Sequence, residues 1–84
     1  MSRHTVVWVF SAESELAEIW LAAADREDVS LATSSIENVL GERAAQAGEE
    51  VAEGLFGIDC PPLRALYEIL SEELTVRVLK VKRI

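Results

Sequence analysis

Residues 5–25, "TVVWVFSAESELAEIWLAAAD", change within a few positions from the side chains of a strand to the spacing of a helix. The opening residues are β-branched or aromatic, so we expect a strand over residues 4–10. Ser11 follows as a favoured helix N-cap. Beyond it, apolar residues recur with the spacing of one helical face, at Ala12, Leu16, Ile19, Trp20 and Ala23. The stretch therefore predicts a strand followed at once by an amphipathic helix.

The next segment predicts a second, longer helix. The polar sequence "DRED" ends the first helix, and Asp25 can cap the amide groups at the start of the next one. A second apolar stripe then follows, at Val29, Ala32, Ile36, Val39, Leu40 and Ala44. Gly48 suits the C-terminal end of this helix, and Gly41 lies inside it at a cost of about 1 kcal/mol relative to Ala.

The remaining sequence changes to the period of β-strands. Three strands are predicted, in "EEVAEGLF" (49–56), "PPLRALYEIL" (61–70) and "LTVRVLKVKRI" (74–84). In the second of them, one face is formed by Leu63, Ala65, Tyr67 and Ile69. In the last strand, Val76 and Val78 share one face whereas Leu79 and Val81 share the other. Either both faces are partly covered, or a bulge redirects the side chains there.

These elements predict a single α+β domain over residues 1–84, with the order β-α-α-β-β-β. Two antiparallel helices return the chain to an antiparallel three-stranded meander. If the first strand runs up, the two helices run down and up, and the three later strands run down, up and down. The first and last strands can then be adjacent and antiparallel, which would place Arg3 and His4 beside Lys82 and Arg83. The predicted single core contains Leu16, Ile19, Trp20, Ile36, Leu40, Leu66 or Tyr67, and Val78.

Composition limits the classes of function. The longest apolar run near the start, "VVWVF", is too short for a membrane span or a signal peptide, so we expect a cytoplasmic protein with no membrane association. The net charge of −7 argues against general nucleic-acid binding. However, residues 76–84 hold four of the eight Lys and Arg residues and no acid, so a local basic patch is predicted there. The single Cys60 excludes an internal disulfide.

Over nearly its full length, the chain resembles the RelE/ParE superfamily of bacterial toxin–antitoxin toxins, often described as plasmid stabilisation proteins. The resemblance is carried by "VVWVFSAESELAEIW", "GEEVAEGLF", "PPLRALYEIL" and "VRVLKVKRI". It implies two helices packed on an antiparallel sheet and a cognate antitoxin as partner. In this family the antitoxin's C-terminal segment wraps the toxin.

The resemblance also implies a set of functional bases. RelE-like ribonucleases use Lys and Arg on the middle strands and a Tyr or His near the end, to activate the ribose hydroxyl and stabilise phosphate charge. In the matching segments this chain offers Arg64, Lys80, Lys82 and Arg83, without the terminal Tyr or His. We therefore expect these four residues to bind a target, and we assign no catalytic residue.

The chain is thus more similar to ParE-like than to RelE-like members. It is expected to be a type II toxin that binds a target such as DNA gyrase and is neutralised by its antitoxin. One alternative is a degenerate interaction module, or a homodimerisation module, without toxicity. A second is a ribosome-dependent mRNA interferase.

Structural roles compete with each of these functional interpretations. The bases of the last strand can be edge charges that discourage aggregation. The alternation around Tyr67 favours a core position over a catalytic one, and Trp8 and Trp20 suit packing between helix and sheet. Nothing in the sequence brings His4 to Cys60 as a thiol dyad. The spacing of ligands and glycines predicts no metal and no cofactor.

Overall fold

The computed structural model describes residues 3–84, which form two helices and a five-stranded sheet. In chain order the elements are β1 (Thr5–Trp8), α1 (Phe10–Ala22), α2 (Arg26–Ala47), β2 (Glu49–Ala52), β3 (Leu55–Cys60), β4 (Leu63–Leu70) and β5 (Thr75–Arg83), with a 3-10 turn at Ser71–Glu73. The strand order in the sheet is β1-β5-β4-β3-β2. The predicted α+β class and the order β-α-α-β-β-β are confirmed, with β2 as an additional short strand at one edge.

The strand count explains one wrong prediction, the direction of the last strand. The segment predicted as one strand over residues 49–56 turns at Glu53 and Gly54, where Gly54 has φ of 74°. This positive φ is easily adopted only by glycine. Four strands therefore follow the helices instead of three, so β5 runs parallel to β1. The two strands are adjacent as predicted, but they are not antiparallel.

The parallel register separates the two basic ends of the chain. Thr5 lies opposite Thr75, and the amide of Thr5 donates to the carbonyl of Leu74. Arg83, by contrast, lies opposite Leu63 at the far end of β5. Arg3 and His4 are therefore not beside Lys82 and Arg83, and the predicted basic edge made by both termini is not formed.

The ends of the helices also differ from prediction. Helix α1 begins at Phe10 with Val9 at the N-cap position, so Ser11 lies inside the helix and does not cap it. Asp25 occupies the N-cap of α2, but its carboxylate binds Arg83 at 2.6 Å rather than the helix amides. Gly48 is the C-cap of α2 as expected.

A β-bulge resolves the ambiguous pattern of the last strand. The pairing of β4 with β5 passes from Leu66 opposite Lys80 to Tyr67 opposite Val78, so Leu79 is the extra residue. The bulge turns Val81 back to the face that Val78 occupies, and both are buried. Of the two alternatives left open by the sequence, the bulge is the one the chain adopts.

Both helices pack on one face of the sheet and bury a single core. Of the predicted core residues, Ile36, Leu40, Tyr67 and Val78 are fully buried, while Leu16 and Ile19 pack partly buried against them. Among residues 3–84, the buried apolar residues are Ala12, Val29, Ala32, Ile36, Leu40, Ala44, Ile58, Leu63, Ala65, Tyr67, Val76, Val78 and Val81. No helix within residues 3–84 is long and apolar enough to cross a membrane.

The prediction that Trp20 belongs to the core is wrong, because its side chain is 40% exposed. Its indole lies between the two helices, where Nε1 donates to Ser30 Oγ at 3.2 Å. The Arg26 guanidinium stacks on the ring at 4.8 Å from the centroid, and also donates to the carbonyl oxygens of Trp20 and Leu21 at the end of α1. Trp8 is partly buried against the core, as expected of a packing residue.

Candidate functional site

Strands β4 and β5 bring three of the four predicted target-binding residues together. Arg64 lies directly opposite Lys82, and Leu66 lies opposite Lys80. These residues alternate with buried ones, so they occupy the sheet face that carries no helix. They line a depression of about 160 Å³. We refer to Arg64, Lys80 and Lys82 as the cationic cluster.

The fourth predicted residue, Arg83, lies apart from the cluster. Its guanidinium binds Asp25 at 2.6 Å, at the junction of the two helices. The Arg83 hydrogen bond lowers the pKa of the Asp25 carboxyl, and the same contact raises the pKa of Arg83. Arg83 therefore fastens the end of β5 to the helix layer and does not share a surface with Lys80 and Lys82.

Carboxylates neutralise most of the cationic cluster. Arg64 forms an ion pair with Asp59, its partner across β3 and β4. Lys80 Nζ lies 3.1 Å from a carboxylate oxygen of Glu15 on α1. Lys82 makes no ion pair with any residue between 3 and 84. The face is therefore a mosaic of paired charges rather than a continuous positive surface for a polyanion.

Glu15 has a second role at the edge of the sheet. Strand β1 ends at Trp8, opposite Val78, so the rest of β5 has a strand on one side only, where it pairs with β4. Helix α1 covers this stretch, and the Glu15 carboxylate accepts the Val81 amide at 3.0 Å. This backbone hydrogen bond, assisted by Lys80, lowers the pKa of Glu15. One carboxylate thus protects an open strand edge and holds a candidate binding residue.

Gly57 on β3 sets the position of Arg64. A Cβ at residue 57 would lie 2.7 Å from Arg64 Nη2, which is closer than real contacts allow. Because glycine leaves this space empty, the guanidinium can lie against residue 57 of β3 while it binds Asp59. Arg64 is consequently only partly exposed, with 29% of its side chain accessible.

Tyr67 occupies the opposite face of β4 and is fully buried. Its hydroxyl donates to the carbonyl oxygen of Ala44 at 2.7 Å, and burial raises its pKa. The ring stacks on Phe56 with centroids 5.5 Å apart. The phenol is therefore a core group without access to a substrate, as the alternation of β4 indicated.

Cys60 and His4 lie at opposite ends of β5. Cys60 pairs with Leu63 near Arg83, whereas His4 precedes the Thr5–Thr75 pair, a separation of about 26 Å along the strand. Burial, and then the charge of Asp59, raises the pKa of the Cys60 thiol, which disfavours the nucleophilic thiolate. Within residues 3–84, no three His, Cys, Asp or Glu side chains are grouped to hold a metal ion.

The two carboxylates that pair with the cationic cluster, Asp59 and Glu15, were not predicted from the sequence. Asp59 could have been found, because the hairpin centred on Pro61 and Pro62 places it opposite Arg64. Glu15 carried no such signal, since its contact with Lys80 spans 65 positions and depends on how α1 crosses the sheet edge.

Comparison with known proteins gives matches at the level of structure only. No protein-family model matches the chain, and neither does any curated protein sequence. The toxin–antitoxin complex RelBE2 from Mycobacterium tuberculosis contains a chain that superimposes with a TM-score of 0.83 at 21% identity, over 100% of this chain and 94% of that one. A chain of the chromosomal ParDE system from P. aeruginosa matches with a TM-score of 0.70 at 20% identity, over 98% and 97% of the two chains. The archaeal RelE–RelB complex from Pyrococcus horikoshii gives 0.71 at 11% identity, over 96% and 94%.

These matches show that the chain has the RelE/ParE toxin fold, which confirms the predicted resemblance in its architecture. Structures of the RelE kind and of the ParE kind both match along almost the whole length. The fold is therefore common to both kinds and does not distinguish between them.

Proposed function

We propose that the chain is the toxin component of a type II toxin–antitoxin module, which binds a macromolecular target and is neutralised by a cognate antitoxin. The fold supports this proposal, because the similar chains come from toxin–antitoxin complexes. A plasmid-stabilising role and a cytoplasmic location, where such a target is found, belong to the same proposal.

The observation that carries target binding rather than cleavage is the neutralisation of the cationic cluster. In-line attack on RNA needs a base for the 2′-hydroxyl and cations for the phosphate, and each such group is worth orders of magnitude in rate. Here Arg64 and Lys80 are paired with Asp59 and Glu15, and the Tyr67 phenol is buried on the other face. A surface of alternating charges suits recognition of a protein.

We therefore favour the ParE-like alternative, with DNA gyrase as the target class and the cationic cluster as part of the contact. The second candidate is a toxin-fold interaction module that has lost toxicity. It is favoured by the net charge of −7 and by the ion pairs that leave little free positive charge on the open face.

The experiment that tests the proposal is inducible expression in bacteria, with growth and transcripts followed together. Wild type is expected to arrest growth, and co-expression of the small protein encoded beside it should restore growth. Lys80→Ala combined with Lys82→Ala should weaken the arrest. Arg77→Ala is the matched control, because Arg77 lies on the same strand and is paired with Glu68 at 2.8 Å outside the cluster.

The outcomes separate the candidates. Transcript cuts in phase with codons would establish the mRNA interferase instead. Absence of arrest by a folded, abundant protein would favour the non-toxic interaction module. If growth arrest is unchanged in the double variant, or is weakened equally by Arg77→Ala, the cationic cluster has a structural role and does not contact the target. Inhibition of DNA supercoiling by purified protein and gyrase tests the target directly.

A further inference from the structure

The open face of the sheet carries acids and bases in two rows that cross the strands. One row runs from Asp59 on β3 through Arg64 on β4 to Lys82 on β5. The neighbouring row runs from Glu49 on β2 to Lys80 on β5, across one residue each of β3 and β4. Each row therefore begins with a carboxylate on the β2 and β3 side of the sheet and ends with a lysine on β5.

The acids around the cationic cluster equal its bases in number. Helix α1 adds a third carboxylate, Glu15, with an oxygen 3.1 Å from Lys80 Nζ. We refer to Glu15, Glu49 and Asp59 as the flanking acids. Three acids beside three bases leave this part of the face without net charge. A polynucleotide gains affinity when free Lys and Arg side chains neutralise its phosphates, so the paired face offers it little.

Asp59 also decides where the positive charge of Arg64 lies. The guanidinium that binds Asp59 lies against residue 57 of β3, where only the absence of a side chain leaves room for it. Arg64 lines a cavity of about 190 Å³ there, together with Asp59 and Glu49. Strand β3 adjoins β4 on the side away from β5, so the guanidinium is held apart from the two lysines of the cluster.

Two of the flanking acids differ in what else they do. The Glu15 carboxylate accepts the Val81 amide with one oxygen and Lys80 Nζ with the other, so the backbone contact keeps its charge beside the lysine. Within residues 3–84, the Asp59 side chain makes its hydrogen bond with Arg64 alone. Asp59 is 53% exposed, and exposed ion pairs contribute little to stability. The Asp59 contact with Arg64 therefore has its main effect on the charge of the face.

We propose that the flanking acids are specificity-determining residues, which exclude nucleic acid from the cationic cluster and reserve it for a protein target. A phosphate backbone that approaches the face meets carboxylates as often as cations, so repulsion offsets attraction. A protein surface of mixed charge can pair with both signs. Without the flanking acids, the cluster would present three free cations on two adjacent strands. The inference rests on the proposed function, in which this cluster is part of the contact with the target.

Binding of RNA by a charge-neutral variant tests the proposal. The variant combines Glu15→Gln, Glu49→Gln and Asp59→Asn, and Glu15→Gln keeps an oxygen acceptor for the Val81 amide. The probe is a labelled oligouridine of about 12 nucleotides, followed by fluorescence anisotropy over a range of salt concentrations. At low salt the triple variant should bind at least about tenfold more tightly than wild type. Its plot of log affinity against log salt should have a slope of about −2, as expected for three phosphate contacts, against a slope near zero for wild type.

A matched control separates the flanking acids from net charge. Glu53→Gln, Glu72→Gln and Glu73→Gln together also change the net charge from −7 to −4, but these acids form no ion pair within residues 3–84, so no base is released. The control should bind RNA as weakly as wild type, and an equal gain in both variants overturns the proposal. Adding Lys82→Ala to the first variant should reduce the salt slope by about 0.7, which locates the phosphate contact.

The remaining outcomes separate this inference from the proposed function. If the triple variant, with the circular dichroism spectrum of wild type, gains no affinity for RNA, the inference fails whether or not wild type arrests growth. Asp59→Asn alone makes the same test at an exposed side chain and should change the salt slope by about 0.7. Wild type that binds the oligouridine with a slope near −2 also overturns the inference. If wild type does not arrest growth but the triple variant gains RNA binding, the toxin proposal fails and the inference stands.

Discussion

The Tyr67 hydroxyl donates a 2.7 Å hydrogen bond to the carbonyl oxygen of Ala44, joining the middle of β4 to the last turn of α2. The last carbonyl groups of a helix have no partner within the helix. Here the backbone also departs from helical geometry at Arg43, with φ of −151° and ψ of 52°. The phenol therefore satisfies a buried acceptor at the place where α2 bends.

Tyr67→Phe is expected to lower the free energy of unfolding by about 1–3 kcal/mol, because it leaves this buried carbonyl unpaired. Urea denaturation followed by circular dichroism measures the loss. Growth inhibition by the folded variant should equal that of wild type, since the hydroxyl does not reach the open face. Loss of inhibition without loss of stability would restore a functional role to Tyr67.

Leu40→Ala is expected to cost about 2–5 kcal/mol, because Leu40 is completely buried between α2 and the sheet. The control is Leu31→Ala on the same helix, where the side chain is 60% exposed and the cost should stay below about 0.5 kcal/mol. Chemical denaturation of both variants makes the comparison. Similar losses at the two positions would mean that α2 is rotated from the orientation described above.

Glu15→Ala should destabilise the fold in a pH-dependent way. The folded-state pKa of Glu15 is lowered from its ordinary value of 4.5, chiefly by the Val81 amide, so its contribution is present above that pH and is lost as the pH falls through the folded-state value. At pH 7 the variant should lose about 1 kcal/mol, and the difference from wild type should shrink below pH 4.5. Glu18→Ala, on the same helix without such a contact, provides the control. A difference that stays constant from pH 7 to pH 3 contradicts the assignment.

Leu74→Asn is expected to stabilise the protein by about 0.5 kcal/mol. Leu74 follows the 3-10 turn with φ of 51° and ψ of 43°, a left-handed conformation that asparagine adopts more readily than leucine. The side chain is 45% exposed, so its replacement removes little packing. A thermal melt of the two proteins measures the difference, and a lower melting temperature for the variant would contradict this account.

The parts of the fold that were predictable from sequence are those with one buried face. The alternation of Leu63, Ala65 and Tyr67 located β4 and its inward side, because each of these residues is in fact buried. Strand β2, in contrast, exposes all four of its residues, so no hydrophobic period marks it. Only Gly54 signalled the turn that separates β2 from β3, and missing that turn reversed the deduced direction of β5.

The candidate site was predictable in part for the same reason. Register across a hairpin places Arg64 beside Lys82 once β4 and β5 are known to pair. The carboxylate that pairs with Lys80 is harder to predict from sequence, because Glu15 belongs to a helix that packs on the other face of the sheet. The exposure of Trp20 was unpredictable for a similar reason, because it depends on how Arg26 and Ser30 of the neighbouring helix receive the indole.

The insertion of β5 between β1 and β4 has a consequence for how the molecule assembles. Thr5 pairs with Thr75, seventy positions away, and β1 has no other strand beside it. Contacts so distant along the chain slow the folding of a small domain, because the loop must close before the contact can stabilise the fold. During synthesis, β1 cannot pair with β5 until residues 75–83 have left the ribosome. Because Lys80 and Lys82 belong to that same strand, the cationic cluster is complete only once β5 has paired with β4.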